Sequence, residues 1–261
     1  MYPKLEPFLL AQFEPNIIIP FIGAGNETVR LIKKRRLKSL WINDLDPGIT
    51  SFWKAVNFYP LKFLHKIKKY TPSVDDFYKF KSILEDLESP PKGVEDVTDI
   101  ALIKLVIHQI SYSGLGVMAG GPIGGKTQAS KYTVDCRWNP SKLSKRIIDV
   151  NNLFKQIDDL RITTWDFEAV LSDKKCDGLI YLDPPYFEQG PQLYQHSFSQ
   201  WDHWRLSEIL FNSHKNWILS YDDHPVIRQF YSFANLYEID ASYSITGQRK
   251  KGELIITKKV I

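Results

Sequence analysis

The run Leu179-Ile180-Tyr181-Leu182 passes directly into Asp183-Pro184-Pro185-Tyr186. Four apolar residues predict a buried strand, and the next four predict a rigid, polar strand end. Two consecutive prolines fix φ and carry no N–H, so the neighbouring carbonyls stay available to accept hydrogen bonds from a ligand. An acid, rigid carbonyls and an aromatic ring thus meet in one place. This set suits the activation of the exocyclic amino group of a purine, a poor nucleophile because its lone pair is delocalised into the ring. A carboxylate and a backbone carbonyl that each accept one N–H bond draw the nitrogen towards tetrahedral geometry, while the aromatic ring stacks on the base. A plain Pro-Pro turn with a capping Asp accounts for the same four residues without chemistry, so the rest of the chain has to be weighed with them.

Two further stretches bear on a ligand. Ile17-Ile18-Ile19-Pro20-Phe21-Ile22 ends in Gly23-Ala24-Gly25-Asn26-Glu27, which predicts a strand, a glycine turn and a helix over residues 27–36. The next strand, Leu40-Trp41-Ile42-Asn43, delivers Asp44 about twenty residues after the glycines, where nucleotide-binding α/β units place an acid on ribose hydroxyls. Asp46-Pro47 reads as a helix cap and first turn. A strand over 161–164 ends at Trp165-Asp166-Phe167, a fourth polar strand end beside those at Gly23/Gly25, Asp44 and Asp183. Ligands of open α/β sheets bind at the carboxyl ends of strands, so these signals share an edge.

The elements that must position these residues follow an α/β rhythm. Helices are predicted over 143–155, 201–214 and 225–231, and strands over 217–220, 237–243 and 254–257. This makes seven strands in a twisted, mostly parallel sheet. The last two strands are joined by a segment too short for a helical crossover, so that pair is expected to be antiparallel. The rhythm stops over residues 59–139. There, 61–86 and 100–110 read as helical, the glycine-rich 111–125 as a loop, and 131–138 as a strand pair with a long tip. Residues 1–58 and 140–261 are therefore read as one α/β domain carrying 59–139 as an insertion.

Composition bounds the function class. The 261 residues are 43% hydrophobic and 25% charged, ordinary for a globular chain with one large core. The net charge of +4 is mild, but cations cluster at Lys33-Lys34-Arg35-Arg36-Leu37-Lys38 and over 62–69, compatible with a polyanionic partner or a solvated helix face. Two cysteines without a CxxC predict neither structural zinc nor a disulfide framework. The first residues do not have the layout of a signal peptide and no apolar run is long enough to span a bilayer, so a soluble cytoplasmic protein is expected.

Taken together, Phe21-Ile22-Gly23-Ala24-Gly25, Asn43-Asp44, Asp183-Pro184-Pro185-Tyr186 and Leu219-Ser220-Tyr221-Asp222-Asp223, followed by Tyr243-Ser244 and residues 249–255, resemble the Dam-type DNA adenine N6-methyltransferases. The resemblance covers 17–58 and 160–261 well and the middle loosely. It implies a Rossmann-like methyltransferase sheet with an inserted, mainly helical target-recognition subdomain, S-adenosylmethionine as methyl donor, double-stranded DNA as partner, and no metal. Phe21, Gly23 and Gly25 would line the donor pocket, Asp44 would hold the ribose hydroxyls, and Asp166 with Phe167 would contact the donor's adenine. Asp183 and the Pro184 carbonyl would hold the target amino group, with Pro185 completing the rigid turn and Tyr186 stacking on a flipped adenine. Ser111-Tyr112-Ser113-Gly114-Leu115 is similar to the family's stretch before its recognition hairpin. This would make Tyr112 a DNA wedge, with Arg137 and Trp138 nearby. A monomer on DNA is expected, and a restriction-modification setting with a cognate endonuclease is admitted.

Two other readings stay open at this level. Gly120-Gly121-Pro122-Ile123-Gly124-Gly125-Lys126-Thr127 formally matches the P-loop pattern of NTPases, although no β-branched strand runs into it and no apolar helical stripe follows. The family's N-terminal Trp-x-Gly-Gly-Lys is reduced here to Tyr2-Pro3-Lys4, and Ile19 stands for its usual Glu. On these departures rests a third reading, a DNA-binding relative without catalysis.

Overall fold

The computed structural model describes residues 2–12, 14–240 and 252–259. In chain order the elements are α1 (Tyr2–Ala11), β1 (Asn16–Ile19), α2 (Asn26–Lys34), β2 (Ser39–Asn43), α3 (Pro47–Phe58), α4 (Pro60–Lys69), α5 (Val74–Glu85), α6 (Val94–Ile110), α7 (Pro140–Phe154), β3 (Asp159–Thr163), α8 (Phe167–Ser172), β4 (Leu179–Leu182), α9 (Gly190–Leu193), α10 (Gln200–Phe211), β5 (Trp217–Asp222), α11 (Pro225–Phe230), β6 (Asn235–Asp240) and β7 (Gly252–Thr257). They form two compact units. One comprises Met1–Asn43, Ile157–Arg161 and Trp165–Ile261, the other Asp44–Gln156 and Ile162–Thr164.

The first unit is built on the expected seven-stranded sheet, in the order β3-β2-β1-β4-β5-β7-β6. Ile17, Ile18 and Ile19 are all buried, the pattern of a parallel strand covered on both faces. β1 pairs in parallel with β2 on one side and β4 on the other, with Ile18 opposite both Trp41 and Ile180. β4 runs parallel to β5. β7 is antiparallel to both β5 and β6, so the terminal pair is of the expected kind. Strand order reverses between β1 and β4, and the carboxyl ends flanking such a switch point are where open α/β sheets take ligands. Gly23 and Gly25 follow one of these two strands, and Asp183 follows the other.

One face of the sheet offers Ile180, Leu182, Leu219, Tyr221 and Leu254 to Leu206 and Leu210 of α10 and Ile227 of α11. The residues of opposite parity, Tyr181 and Ser220, are just as buried and face the other way. A buried hydroxyl pair in a strand interior demands internal hydrogen bonds.

The second unit is mainly helical. Asp46 caps α3, its carboxylate accepting from the N–H groups of Gly48 and Ile49 with Pro47 at the first turn, as expected. The same carboxylate pairs at 2.5 Å with Lys104 of α6, and both residues are buried. Helix α7 is tied to α3 by the Asn151 amide, which donates to the carbonyls of Val56 and Asn57. These contacts explain why α3 and α7, grouped above with the α/β domain, fall into the helical unit.

Residues 111–139 overturn one expectation. Two single 3-10 turns, Tyr112–Gly114 and Gly116–Met118, are followed by turns and bends, with no strand over 131–138. Gln128 is the physical reason. Its side chain donates to the carbonyls of Ile123 and Gly125 and accepts from the N–H of Val134, occupying backbone groups that a hairpin ladder would pair. The sequence-predicted strand over 237–243 is observed as far as Asp240, and its remainder, with Tyr243-Ser244 and residues 249–251, lies outside the described residues. Among the described residues, no helix is long and apolar enough to cross a membrane.

Candidate active site

The glycine turn after β1 is fixed from three sides. Ile22 donates to the carbonyl of Asn43 at 2.8 Å, and Gly25 closes the turn on the carbonyl of Ile22 at 2.8 Å. The Asn43 amide donates to Pro20 and Trp165 carbonyls and accepts from the Trp165 N–H, so one buried side chain joins the ends of β1 and β2 to the segment after β3. Gly23 and Gly25 take the left-handed conformation, with φ of 47° and 65°. A Cβ placed on Gly23 would meet no atom within 4 Å. The turn thus borders open space into which a ligand can approach the backbone.

An aromatic wall flanks this turn. The Phe21 ring lies 5.8 Å from Phe167 and 5.6 Å from Phe198, and Phe167 lies 5.3 Å from Phe198. The Arg205 guanidinium covers the other side of Phe167, 4.3 Å from the ring centroid. Arg205 is held in turn by Asp166, Glu168 and Asp202 at 2.9, 3.1 and 3.2 Å. Asp166 also caps α8, accepting from Glu168 N–H. Asp166 and Phe167 are therefore parts of a packed cluster, Phe167 buried and Asp166 more accessible. In the helical unit, Asp44 follows the last residue of β2 and accepts the N–H of Asp46 at 3.0 Å.

At the end of β4, Asp183 is partly accessible while Pro184 is buried. Ser220 of β5 lies 2.9 Å from Oδ1 of Asp183 and 3.3 Å from both the Leu182 carbonyl and the Tyr181 hydroxyl. Among the described residues no donor reaches the Pro184 carbonyl, and no other hydrogen bond is made by the Asp183 carboxylate. Burial pushes the Asp183 carboxyl up to about 7; the Ser220 hydrogen bond opposes this, and Glu27 and Glu253 reinforce it. Burial likewise holds the Tyr181 and Tyr186 hydroxyls well above the usual phenol range. An acid near its midpoint at neutral pH, beside an unused carbonyl, can accept two N–H bonds from one amino group and later take a proton from it.

The turn that follows is clamped. Asp222 accepts the N–H of Phe187 with one oxygen and that of Glu188 with the other, each at 2.9 Å. Gly190 N–H returns to the Tyr186 carbonyl at 2.8 Å. Behind Tyr186, the ring of Tyr221 lies 6.1 Å away, and its hydroxyl is 2.5 Å from Nδ1 of buried His203. Burial lowers the His203 imidazole to about 4, so it is neutral at physiological pH. Tyr186, Phe187 and Phe198 pack on the core from this side.

Among the residues expected to touch DNA, Tyr112 is 69% exposed, at the tip of a turn with positive φ at Ser113, Gly114 and Gly116. His108 holds the Gly114 carbonyl and Ser111 accepts the Gly116 N–H, so the tip is braced from within. Arg137 is exposed. Trp138 is half-buried and its indole N–H donates to the Tyr70 carbonyl at 3.0 Å, which gives it a packing role in this unit. The P-loop reading is overturned. The segment 120–127 is a run of turns with neither a strand before it nor a helix after it, and Lys126 sits 5.3 Å over the Tyr78 ring.

Several residues of this site have no role that their local sequence assigns. Ser220 and Asp222 carry a usable signal, polar residues at alternate positions of an otherwise apolar strand. Phe198, Arg205 and His203 carry none, because only the fold brings α10 and the residues just before it to these strand ends. Among the described residues, no group of three or more His, Cys, Asp or Glu is placed to hold a metal ion.

A sequence model of the D12 class N6 adenine-specific DNA methyltransferases matches residues 4–245 of the chain. No curated protein matches it.

Proposed function

The chain belongs to the D12 class N6 adenine-specific DNA methyltransferase family and is a site-specific adenine methyltransferase acting on DNA; from this premise we propose how its residues do the work. The methyl donor is S-adenosylmethionine, whose sulfonium supplies an activated methyl group and a good leaving group. Phe21, Gly23 and Gly25 line its pocket. The open space at Gly23 and the left-handed backbone there favour this fit, since a side chain at that position would take the ligand's place. Asp44, about twenty residues on, holds the ribose hydroxyls. The cluster of Asp166 and Phe167 with Arg205 forms the wall against the donor's adenine.

The target adenine is flipped out of the duplex into the pocket at Asp183, Pro184, Pro185 and Tyr186. Oδ2 of Asp183 and the Pro184 carbonyl each accept one N6–H bond, and Tyr186 stacks on the base. A donor held by Phe21, Gly23 and Gly25 would supply its activated methyl group to the N6 lone pair freed in this way. One N6 proton leaves afterwards, with Asp183 placed to receive it. The helical unit, with Tyr112 at a braced tip and Arg137 exposed, serves as the DNA-recognition part, and Trp138 supports that surface from within. The observation that carries this reading is the pairing of a partly accessible carboxylate with a carbonyl that no described donor reaches, at the strand end beside the glycine turn.

Equilibrium dialysis with labelled S-adenosylmethionine tests the donor assignment. Saturable binding is expected for the wild type and for Asp183→Ala alike, with weaker binding for Gly23→Ala. Absence of saturable binding to the wild-type protein would overturn the donor assignment.

A further inference from the structure

Ser220 is fully buried, yet it has no share in the apolar packing of its strand. Its hydroxyl has one proton to give and two acceptors within reach, Asp183 Oδ1 at 2.9 Å and the Leu182 carbonyl at 3.3 Å. The carboxylate is the closer and, when ionised, the stronger acceptor. The Tyr181 hydroxyl, buried and protonated at any working pH, stands 3.3 Å from Ser220 Oγ; with the serine proton given to Asp183, it is left as the donor of that contact. A chain of two donors thus runs from Tyr181 through Ser220 to one oxygen of the carboxylate.

We infer that Ser220 is a positioning residue for Asp183: it holds Oδ1 of the carboxylate, leaving Oδ2 and the Pro184 carbonyl as the two acceptors for the target amino group. This rests on the reading above that Asp183 receives that group. An unheld carboxylate rotates about its last bond and presents either oxygen, and it is protonated more readily in a buried site. Two charged groups that act on Asp183 make ionisation harder, and the chain's amino terminus makes it easier. Glu27 from the first turn of α2 and Glu253 from β7 are both acidic, and the phenols of Tyr181 and Tyr186 carry no positive charge. Ser220 is the hydrogen-bond donor that offsets them. Removing it therefore raises the pH needed to ionise Asp183.

The test is the pH profile of kcat/KM for methyl transfer to unmethylated genomic DNA, from pH 5.5 to 9.5, for the wild type, Ser220→Ala and Asp183→Ala. The wild-type rate is expected to fall below a midpoint near 7. In Ser220→Ala that limb moves about one unit higher, giving roughly a tenfold lower rate at pH 6 and nearly the wild-type rate at pH 9.5. Ser220→Ala creates almost no void, and matching thermal melts at pH 9.5 establish that it folds. A limb that stays in place, or a loss that is uniform across pH, would overturn the positioning role. Retained activity in Asp183→Ala would instead overturn the reading of Asp183 on which the inference stands.

Discussion

Asp222 holds the backbone N–H of Phe187 at 2.9 Å, reaching from one strand end to the turn that begins on the next. Its second oxygen takes the adjacent N–H of Glu188 at the same distance. A short turn after two prolines has few internal hydrogen bonds of its own, so this bidentate clamp sets where Tyr186 stands. Asp222→Asn replaces one acceptor oxygen with an amide donor facing a backbone donor. The loss of a charge-assisted bond predicts a fall in kcat of about 10- to 100-fold with the secondary structure intact. Steady-state kinetics with circular dichroism on the same samples checks this, and wild-type kcat would contradict it.

Asp183 also links stability to pH. Its folded-state carboxyl sits near 7, above the ordinary 3.8, because burial disfavours the charge. Between those values the folded protein holds a proton that the unfolded chain has lost, so stability falls as pH rises from about 4 to about 7 and is level beyond. Asp183→Asn keeps the shape without the charge. It should therefore be more stable than wild type at pH 8, on the order of 2 kcal/mol after allowance for partial solvent access, and no more stable at pH 3.5. Urea unfolding at the two pH values decides this; a gain that does not depend on pH would contradict burial of the charge as its cause.

The buried pair of Lys104 and Asp46 makes a prediction for the helical unit. Lys104→Ala leaves the Asp46 carboxylate buried with its two capped N–H groups but without its cation, at a cost of about 3 kcal/mol. Adding Asp46→Asn, which removes the stranded charge and can still cap α3, should recover a large part of that loss. Thermal melts of the single and double variants measure it, and simple additivity would mean that the pair does not interact.

Tyr112 has no packing role to lose, being largely exposed on a braced tip. Tyr112→Ala should raise KM for DNA about tenfold, leave donor affinity unchanged and leave the melting temperature within a degree or two of wild type. Unchanged DNA kinetics would remove Tyr112 from the interface.

The parts of this molecule that the sequence announces are those where local chemistry and fold agree. The sheet is legible because Ile17 to Ile19 and Leu179 to Leu182 are short apolar runs ended by glycine or proline, and the sharp turns at Gly23 and Pro184 belong to the same signals. Asp46 is legible as a cap because its partners are two and three residues away. The strand pair expected over 131–138 was misleading, since its β-branched and aromatic residues gave no sign that the Gln128 side chain would take the backbone partners of a hairpin. Ser220, Asp222 and Arg205 act on residues 34 to 39 positions distant, and only the parallel pairing of β4 with β5 and the packing of α10 bring them there. Long-range positioning of this kind leaves little trace in local pattern.

The central claim is that Asp183 prepares the adenine amino group for transfer. The most direct test incubates purified protein with S-adenosylmethionine tritiated in the methyl group and unmethylated genomic DNA, then digests the DNA to nucleosides. Wild-type protein should place label in N6-methyladenosine, and Asp183→Ala, with donor binding retained, should place none above background. Equal label from the variant would contradict the assignment of Asp183.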